Sequence, residues 1–201
     1  MNKQDVFARI YETNAWEGDE SRSGPGSSLE ATAFVRRWLL ETASRLSLRT
    51  VLDAGCGDFN WMSQVPLDVD WYVGVDVVES VIAANRSNYS NAVRSFRVLD
   101  IVTDELPRAD VIICRDCLVH LPTSDVLRAI DNFKNSGAKF LIATTFPGLE
   151  SANSDIPVGG WRPLDMNAPP FNLGLPIDMV REGLDGEFRS KSSALWALTG
   201  V

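Results

Sequence analysis

Residues 50–145 alternate short apolar segments with segments of helical pattern, and no other feature of the sequence constrains the fold as strongly. The pattern predicts strands at 50–54, 71–76, 96–100, 111–114 and 140–145, with helices at 60–64, 79–89 and 123–135. Strands that alternate with helices form a parallel sheet through right-handed crossovers, with helices on both faces. We therefore predict a doubly wound α/β fold, in which ligands bind at the carboxyl ends of the strands.

The composition is that of a soluble globular protein. The chain has 201 residues, 45% of them hydrophobic and 23% charged, with a formal net charge of -8. One domain of this size buries a sizeable core. The negative charge and the scattered arginines argue against nucleic acid as a partner. Because no apolar run has the length of a signal peptide or a membrane span, we expect a cytoplasmic protein with no membrane partner.

The first predicted strand ends in an acidic, glycine-rich turn, Asp53-Ala54-Gly55-Cys56-Gly57. Gly55 and Gly57 can take positive φ angles or let a ligand approach the backbone. The turn has Asn60 where a dinucleotide-binding turn has its third glycine, and it lacks the Gly-Lys-Ser/Thr of a phosphate-binding loop. Asp53 would repel a phosphate, so we predict a ligand with cationic character.

Two further acidic residues end the next two predicted strands. Asp76 lies 23 positions after Asp53 (76 − 53), close to the interval of about 20 at which a carboxylate binds ribose hydroxyls in doubly wound folds. We therefore predict that Asp76 binds a ribose. Asp100 ends the third strand and is followed by Ile101.

The fourth predicted strand leads into a polar cluster that contains the only histidine, His120. Neutral imidazole can take a proton from a hydroxyl, and Asp116 can orient the ring or stabilise the imidazolium. The other interpretation of Asp116 is that it caps the following turn or pairs with Arg115. Cys114 and Cys117 have C-x-x-C spacing, but no second pair or histidine cluster completes a zinc site, so we predict no metal.

Segments 16–28 and 147–176 are predicted to be long loops on either side of this core. We interpret 16–28 as a lid whose hydroxyls, backbone amides and Arg22 can meet a ligand carboxylate, with a plain linker as the alternative. Segment 147–176 is rich in proline and also carries aromatic residues, which favours an ordered loop that binds a substrate. Helices are predicted at 5–14 and at 29–46, the second capped by Ser28 and burying Phe34.

The glycine-rich turn, together with the acidic strand ends at Asp76 and Asp100, resembles the class I S-adenosylmethionine-dependent methyltransferases over about residues 48–146. The resemblance implies a Rossmann-like, mostly parallel seven-stranded sheet. An antiparallel C-terminal strand pair, predicted at 177–184 and 193–198 with a turn at 185–187 and Trp196 in the core, would close it. The third glycine often found after this motif is replaced by Phe59. We expect one methyltransferase domain over 1–201, made of N-terminal helices and lid (1–46), a cofactor-binding core (47–146), a substrate loop (147–176) and the strand pair (177–201).

The same resemblance implies S-adenosylmethionine as cofactor, with S-adenosylhomocysteine as product. Asp100 would receive the adenine amino group, Ile101 would pack on the ring, and His120 would face the transferable methyl. The implied cofactor-binding residues are Ser23, Gly24, Asp53, Gly55, Gly57, Asp76, Val77, Asp100, Ile101 and Arg115.

Segments 20–27 and 161–172 resemble small stand-alone bacterial methyltransferases, some of which act on sugars. This resemblance implies a small-molecule acceptor, best a sugar or oligosaccharide, bound by Trp16, Trp61, Trp161 and Arg162. We expect an O-methyltransferase with His120 as general base and Asp116 as its catalytic partner. The alternatives are an N-methyltransferase of a small amine, a non-catalytic S-adenosylmethionine-binding module, and a nicotinamide oxidoreductase, which the missing third glycine disfavours. The oligomeric state stays open, a homodimer included.

Overall fold

The computed structural model describes residues 2–183 and 188–198, which form a single seven-stranded sheet flanked by helices. The strands are β1 (Thr50–Ala54), β2 (Trp71–Asp76), β3 (Arg94–Val98), β4 (Val111–Cys114), β5 (Phe140–Thr145), β6 (Asp178–Arg181) and β7 (Ser192–Ala197). Their order in the sheet is β3-β2-β1-β4-β5-β7-β6. Strands β1 to β5 are parallel, and β7 runs antiparallel to both β5 and β6. The predicted doubly wound sheet with an antiparallel C-terminal pair is confirmed.

Within the described residues, four α-helices accompany the sheet. They are α1 (Lys3–Thr13), α2 (Ala33–Arg45), α3 (Glu79–Tyr89) and α4 (Thr123–Asn135), with 3₁₀ turns at Pro25–Ser27, Met62–Gln64 and Leu118–His120. Helix α1 begins two residues earlier than predicted, because the Asn2 side chain caps it by accepting a hydrogen bond from the Asp5 amide. In the described part of the chain, no helix combines the length and the apolar character that crossing a bilayer requires.

The sheet carries one apolar core on each face. Along β1, Val51 belongs to the core that contains Leu39 of α2, whereas its neighbour Leu52 belongs to the core that contains Phe133 of α4. This alternation follows from the period-two geometry of a strand, and burial on both faces explains why the strands are nearly continuous apolar runs. Trp196 of β7 lies in the α4 core and is 1% exposed, as predicted.

The helix predicted at 60–64 is only the 3₁₀ turn Met62–Gln64. Phe59 has a φ of 61°, in the left-handed region, and this backbone conformation prevents a regular helix from beginning directly after the glycine turn. The ring of Phe59 is buried and packs edge-on against Tyr72 and Phe96. The third glycine of the related motif is therefore replaced by a core residue.

Strand β3 lies two residues earlier than the predicted 96–100 and ends at Val98. The chain turns away because the Asp100 carboxylate accepts the amide of Val102 at 2.9 Å, while the Asp100 amide donates to Asp104 at 2.8 Å. Such local side-chain bonds compete with strand pairing. Asp100 therefore stands in the loop after the strand rather than at its end.

Helix α2 begins at Ala33 and not at residue 29. Ser28 does not cap it; its hydroxyl accepts the amide of Ala31 in the preceding turn. Phe34 was predicted to be buried but is 49% exposed, and Val35 takes the core position instead. On the same predicted apolar side, Trp38 and Leu39 are buried and both lie in the core.

The C-terminal pair is shorter on its first strand than predicted, with β6 ending at Arg181 rather than at 184. Hydrogen bonding to β7 begins one residue before β6, where the Ile177 amide donates to the carbonyl of Leu195 at 2.7 Å. The predicted turn at 185–187 lies outside the described residues.

Candidate active site

A cleft opens at the carboxyl ends of β1, β2, β3 and β4, where side chains from six parts of the chain meet. It is covered by α1 and by residues 16–28, which we call the lid loop. The positions predicted for the site that line it are Trp16, Ser23, Gly55, Trp61, Asp76, Val77, Asp100, Ile101, Arg115, Asp116 and His120. This is the edge of the sheet at which parallel α/β folds bind ligands.

The glycine-rich turn after β1 requires its glycines. Gly55 has a φ of 80° and Gly57 a φ of 55°, as predicted from their residue type. A Cβ atom at Gly55 would lie 2.5 Å from the Cys117 sulfur, and one at Gly57 would lie 2.3 Å from the Ser23 hydroxyl oxygen. The turn is therefore packed against two other segments of the protein as well as forming part of the cleft wall.

Asp76, at the end of β2, lies beside this turn. One carboxylate oxygen accepts the Gly57 amide at 3.2 Å, and the other accepts the Val78 amide at 3.0 Å. Burial raises the pKa of Asp76, against the opposing effect of these amide bonds. Each carboxylate oxygen has more than one acceptor position, so Asp76 can still accept hydrogen bonds from two ligand hydroxyls. Val77 lines the cleft next to it.

Asp100 and Ile101 form the far wall of the cleft, where Asp100 is already engaged. Its carboxylate oxygens accept from the Lys3 ammonium at 2.9 and 3.1 Å, and Lys3 also lies 3.1 Å from Asp125. Lys3 belongs to the first turn of α1, so this double ion pair fixes the helix over the cleft. Ile101 is buried and supplies an apolar surface beside the pair.

Asp53 lies beneath the turn and does not line the cleft, contrary to its predicted role in contact with the ligand. Asp53 is 4% exposed, and its carboxylate accepts a hydrogen bond from the hydroxyl of Tyr72. Burial raises the pKa of Asp53 to about 7, although the Tyr72 bond lowers it. Its structural effect is to support the turn from below.

His120 lies in the 3₁₀ turn after β4 and faces the cleft. Its Nδ1 atom lies 2.8 Å from the carbonyl oxygen of Gly160. A carbonyl only accepts, so Nδ1 carries the proton and donates, which leaves the lone pair of the neutral ring on Nε2. Burial lowers the pKa of His120, so the neutral form persists at neutral pH. Trp16 of the lid loop stacks on the imidazole.

Asp116 was predicted to orient His120, but its carboxylate binds other residues. Its carboxylate pairs with Lys191 at 2.5 Å and with Arg115 at 3.1 Å, and it accepts the hydroxyl of Thr144 at 3.0 Å. Burial alone would raise the pKa of Asp116, but these two cations hold it well below its usual range. Asp116 is therefore a permanent anion, and the alternative interpretation, pairing with Arg115, describes its contacts.

Arg115 was predicted to contact the cofactor. It is buried, and its guanidinium is bound by other residues of the protein. Its guanidinium donates to Glu182 at 2.5 and 3.0 Å and to the carbonyl of Gly26 in the lid loop at 2.9 Å. It also lies 5.3 Å from the centre of the Trp61 ring. Arg115 lines the cleft, but its charge is compensated by Glu182 and Asp116.

The lid loop is tied to the glycine turn through Asp58. The Asp58 carboxylate accepts from the hydroxyls of Ser21 and Ser23 and from the Arg22 amide at 2.9 Å. Ser23 also exchanges a 2.6 Å hydrogen bond with the hydroxyl of Tyr11. The Arg22 guanidinium was expected to meet a ligand carboxylate. It donates instead to the carbonyl of Tyr11 near the end of α1.

Gly57 and three other predicted positions are not among the residues that line the cleft. Gly24 has a φ of 91° and packs under Trp16, with an added Cβ lying 3.2 Å from that side chain. Trp161 is 44% exposed and packs against Phe146 outside the cleft. Arg162 is buried beneath the His120 turn. The predicted contacts of Gly24, Trp161 and Arg162 with a ligand are therefore not supported by their positions.

Five residues that line the cleft or hold Asp116 in place were not predicted from the sequence, namely Lys3, Tyr11, Asp58, Thr144 and Lys191. Asp58 directly follows Gly57, so its place in the turn was a usable signal. The two lysines carry no local signal, because their partners lie 97 and 75 positions away.

A comparison with protein-family models finds no match. Among curated proteins, the chain is 27% identical over 113 residues to a ubiquinone biosynthesis O-methyltransferase of Bordetella bronchiseptica. The aligned part covers 53% of this chain and 47% of that protein, so the chain spans about half the length of this relative.

Solved structures match over almost the whole chain. The N-methyltransferase NodS of Bradyrhizobium japonicum in complex with S-adenosylhomocysteine matches with a TM-score of 0.67 and 15% identity, over 98% of each chain. The magnesium protoporphyrin IX methyltransferase of Synechocystis with bound S-adenosylmethionine matches with a TM-score of 0.66 and 16% identity, over 98% of this chain and 97% of that one. The chain therefore has the fold of the class I S-adenosylmethionine-dependent methyltransferases.

Proposed function

We propose that this chain is an S-adenosylmethionine-dependent methyltransferase that methylates a hydroxyl of a small molecule. The acceptor that we propose is a sugar or oligosaccharide. His120 is the general base of the reaction. The fold, the position of the cleft and the ligands bound in the matching structures support the proposal. The observation that carries it is the hydrogen bond from His120 Nδ1 to the Gly160 carbonyl, because it leaves a basic nitrogen available at the cleft.

The residues of the cleft fit this cofactor. Asp76 can bind the ribose hydroxyls, and Ile101 can pack on the adenine, beside Asp100. The cations of the wall, Lys3 and Arg115, are each paired with two carboxylates, so neither repels a positively charged ligand strongly. When bound, S-adenosylmethionine supplies a methyl group attached to a positively charged sulfur.

The protein's own part in the chemistry is to position the acceptor and to take its proton. A sugar or alcohol hydroxyl is too weakly acidic to ionise at neutral pH, so a base must accept the proton as the oxygen attacks. His120 is neutral, held in one orientation by Gly160, and covered by Trp16. Orientation is worth roughly 7–11 kcal/mol in well-aligned reactions, and a positioned base adds about 10²- to 10⁴-fold in rate.

The acceptor class is supported by the aromatic residues of the cleft. Trp16 and Trp61 both line it, and their ring faces suit stacking on a sugar, while the carboxylate of Asp116 can accept hydroxyl hydrogen bonds. The similarity to an O-methyltransferase agrees with a hydroxyl acceptor.

A small amine is the second candidate acceptor, favoured by one observation. The carboxylate of Asp116 lines the cleft, and although Arg115 and Lys191 balance its charge, its oxygens can still accept a hydrogen bond from an amine. The similarity to NodS, an N-methyltransferase, agrees with this alternative.

The test is incubation of the purified chain with methyl-labelled S-adenosylmethionine and separate pools of sugars, phenols and amines, followed by mass measurement of the products. We expect a labelled methyl ether from the sugar pool and its loss in His120→Ala. Labelled amine products instead would establish the second candidate. Absence of cofactor binding by calorimetry, together with no product from any pool, would refute the methyltransferase proposal.

A further inference from the structure

Residues 159–162 hold the 3₁₀ turn that carries His120. The Gly159 amide donates to the His120 carbonyl at 2.9 Å, and the Gly160 carbonyl accepts from the imidazole. The Arg162 amide donates to the Val119 carbonyl at 3.2 Å. Two of these contacts hold the backbone and the ring of His120, and the third holds Val119 before it, all from one segment of the loop after β5.

The guanidinium of Arg162 adds two further hydrogen bonds and has an unusual environment. Its Nη1 atom donates to the carbonyls of Leu118 and Val119 at 3.3 and 3.2 Å. The residue is 2% exposed, and its Nε and Nη2 atoms have no hydrogen-bond partner within residues 2–183 and 188–198. Over the same residues, no carboxylate oxygen lies within 4 Å of it.

This arrangement is energetically unfavourable, because a buried charge without a counter-ion loses its hydration and gains no ion pair to offset the loss. An apolar side chain of similar length would fill the same space at lower cost. A guanidinium that is always ionised and only partly satisfied is therefore a group whose presence needs a reason.

We infer that Arg162 is a positioning residue for His120, which holds the Leu118–His120 turn by two carbonyls and keeps a fixed positive charge near the imidazole. The inference rests on the proposed role of His120 as the base. It replaces the contact with substrate that the sequence suggested for Arg162.

The other charges around His120 make the effect of Arg162 distinct. Burial is the main cause that lowers the pKa of His120; Arg162 and Lys191 lower it further, and Asp116 opposes them. The charge of Asp116 is itself balanced by Arg115 and Lys191. Asp155, the nearby carboxylate on the loop, is exposed and accepts the amide of Thr123 at 2.8 Å. Arg162 is therefore the buried cation near the ring that lacks a carboxylate partner among the described residues.

The experiment uses the fact that the chain has one histidine, so its proton NMR signal titrates without overlap. The titration midpoint of His120 is compared among wild type, Arg162→Gln, Arg162→Lys and the control Arg37→Met, which removes a charge from an exposed position of α2. In the glutamine variant the midpoint should rise by roughly half a unit to one unit, the size expected from removing one nearby charge. The lysine variant and the control should titrate like wild type.

An unchanged midpoint in a folded Arg162→Gln protein would overturn the inference, and so would a rise of equal size in Arg162→Lys. Arg162→Met is a second neutral variant if the glutamine variant does not fold. The titration needs no turnover, so it separates the two proposals. An unchanged midpoint with His120-dependent turnover removes only this inference. A raised midpoint with turnover that survives His120→Ala removes the base.

Discussion

The indole of Trp16 stacks on the imidazole of His120, with ring centroids 4.7 Å apart and the planes inclined by 30°. One residue belongs to the lid loop and the other to the turn after β4, 104 positions later (120 − 16). Trp16 also packs against Phe7 and Tyr11 of α1. The position of the proposed base therefore depends on the position of the lid.

Replacing Trp16 by Ala should lower kcat/KM by about 3- to 10-fold, because an aromatic pair contributes roughly 0.5–1.5 kcal/mol. Trp16→Phe should keep most of the activity, since a smaller ring can still stack on the imidazole. Steady-state kinetics with the acceptor found in the product assay measures both. Equal losses in the two variants would show that the stack has no role in catalysis.

Replacing Asp76 by Ala should weaken S-adenosylmethionine binding by roughly 10- to 150-fold, since a hydrogen bond to a charged group is worth about 1.5–3 kcal/mol. Isothermal titration calorimetry measures the affinity. The control is Asp131→Ala, which removes a carboxylate from an exposed position of α4 and should bind the cofactor like wild type. Unchanged affinity in Asp76→Ala would contradict the ribose assignment.

Replacing His120 by Ala should lower kcat by roughly 10²- to 10⁴-fold and leave cofactor affinity nearly intact. The base acts in its neutral form, which exists above its pKa. Because burial lowers the pKa of His120, the acidic limb of the wild-type rate profile should lie below pH 6.5, and it should vanish in the variant. A limb that persists in His120→Ala would assign the titration to another group.

Replacing Asp53 by Asn should change how stability depends on pH. The pKa of Asp53 is raised to about 7 by burial, so between pH 3.8 and 7 the folded state holds a proton that the unfolded chain releases. The contribution of Asp53 to the free energy of unfolding is therefore fully present below pH 3.8 and is lost as pH rises through about 7. Urea unfolding gives the difference in unfolding free energy between Asp53→Asn and wild type at each pH. This difference should favour the variant by about 1–3 kcal/mol more at pH 8 than at pH 5. Parallel profiles for the two proteins would exclude this effect.

Replacing Lys3 by Met should loosen α1, because Lys3 pairs with both Asp100 and Asp125 and is only 14% exposed in its side chain. Hydrogen exchange of residues 3–13 should quicken, with a stability loss of about 1–2 kcal/mol. The control is Lys139→Met, which breaks an ion pair with Asp110 in which the lysine is 58% exposed, and which should cost less than about 1 kcal/mol. Equal exchange in Lys3→Met and wild type would show that the double pair does not hold the helix.

The sequence was informative wherever a local pattern decides the structure. Strands such as β1 are buried on both faces and read as apolar runs, and the interval from Asp53 to Asp76 correctly places the second carboxylate at the cleft. It was misleading wherever a distant partner decides. The contacts of Asp116 depend on Lys191, and those of Arg115 on Glu182, neither of which any local spacing indicates. The end of β3 was missed for a local reason, the turn formed by Asp100 itself.

The buried pair of Arg115 and Glu182, completed by the hydroxyl of Ser193 on Glu182, restricts how related sequences can diverge. Losing Arg115 alone leaves Glu182 buried without a cation, and losing Glu182 alone leaves Arg115 with only Asp116, which it shares with Lys191. Either single loss is more damaging than losing both charges. Positions 115, 182 and 193 should therefore covary across related chains, as one inherited unit that joins the end of β4 to the C-terminal strands.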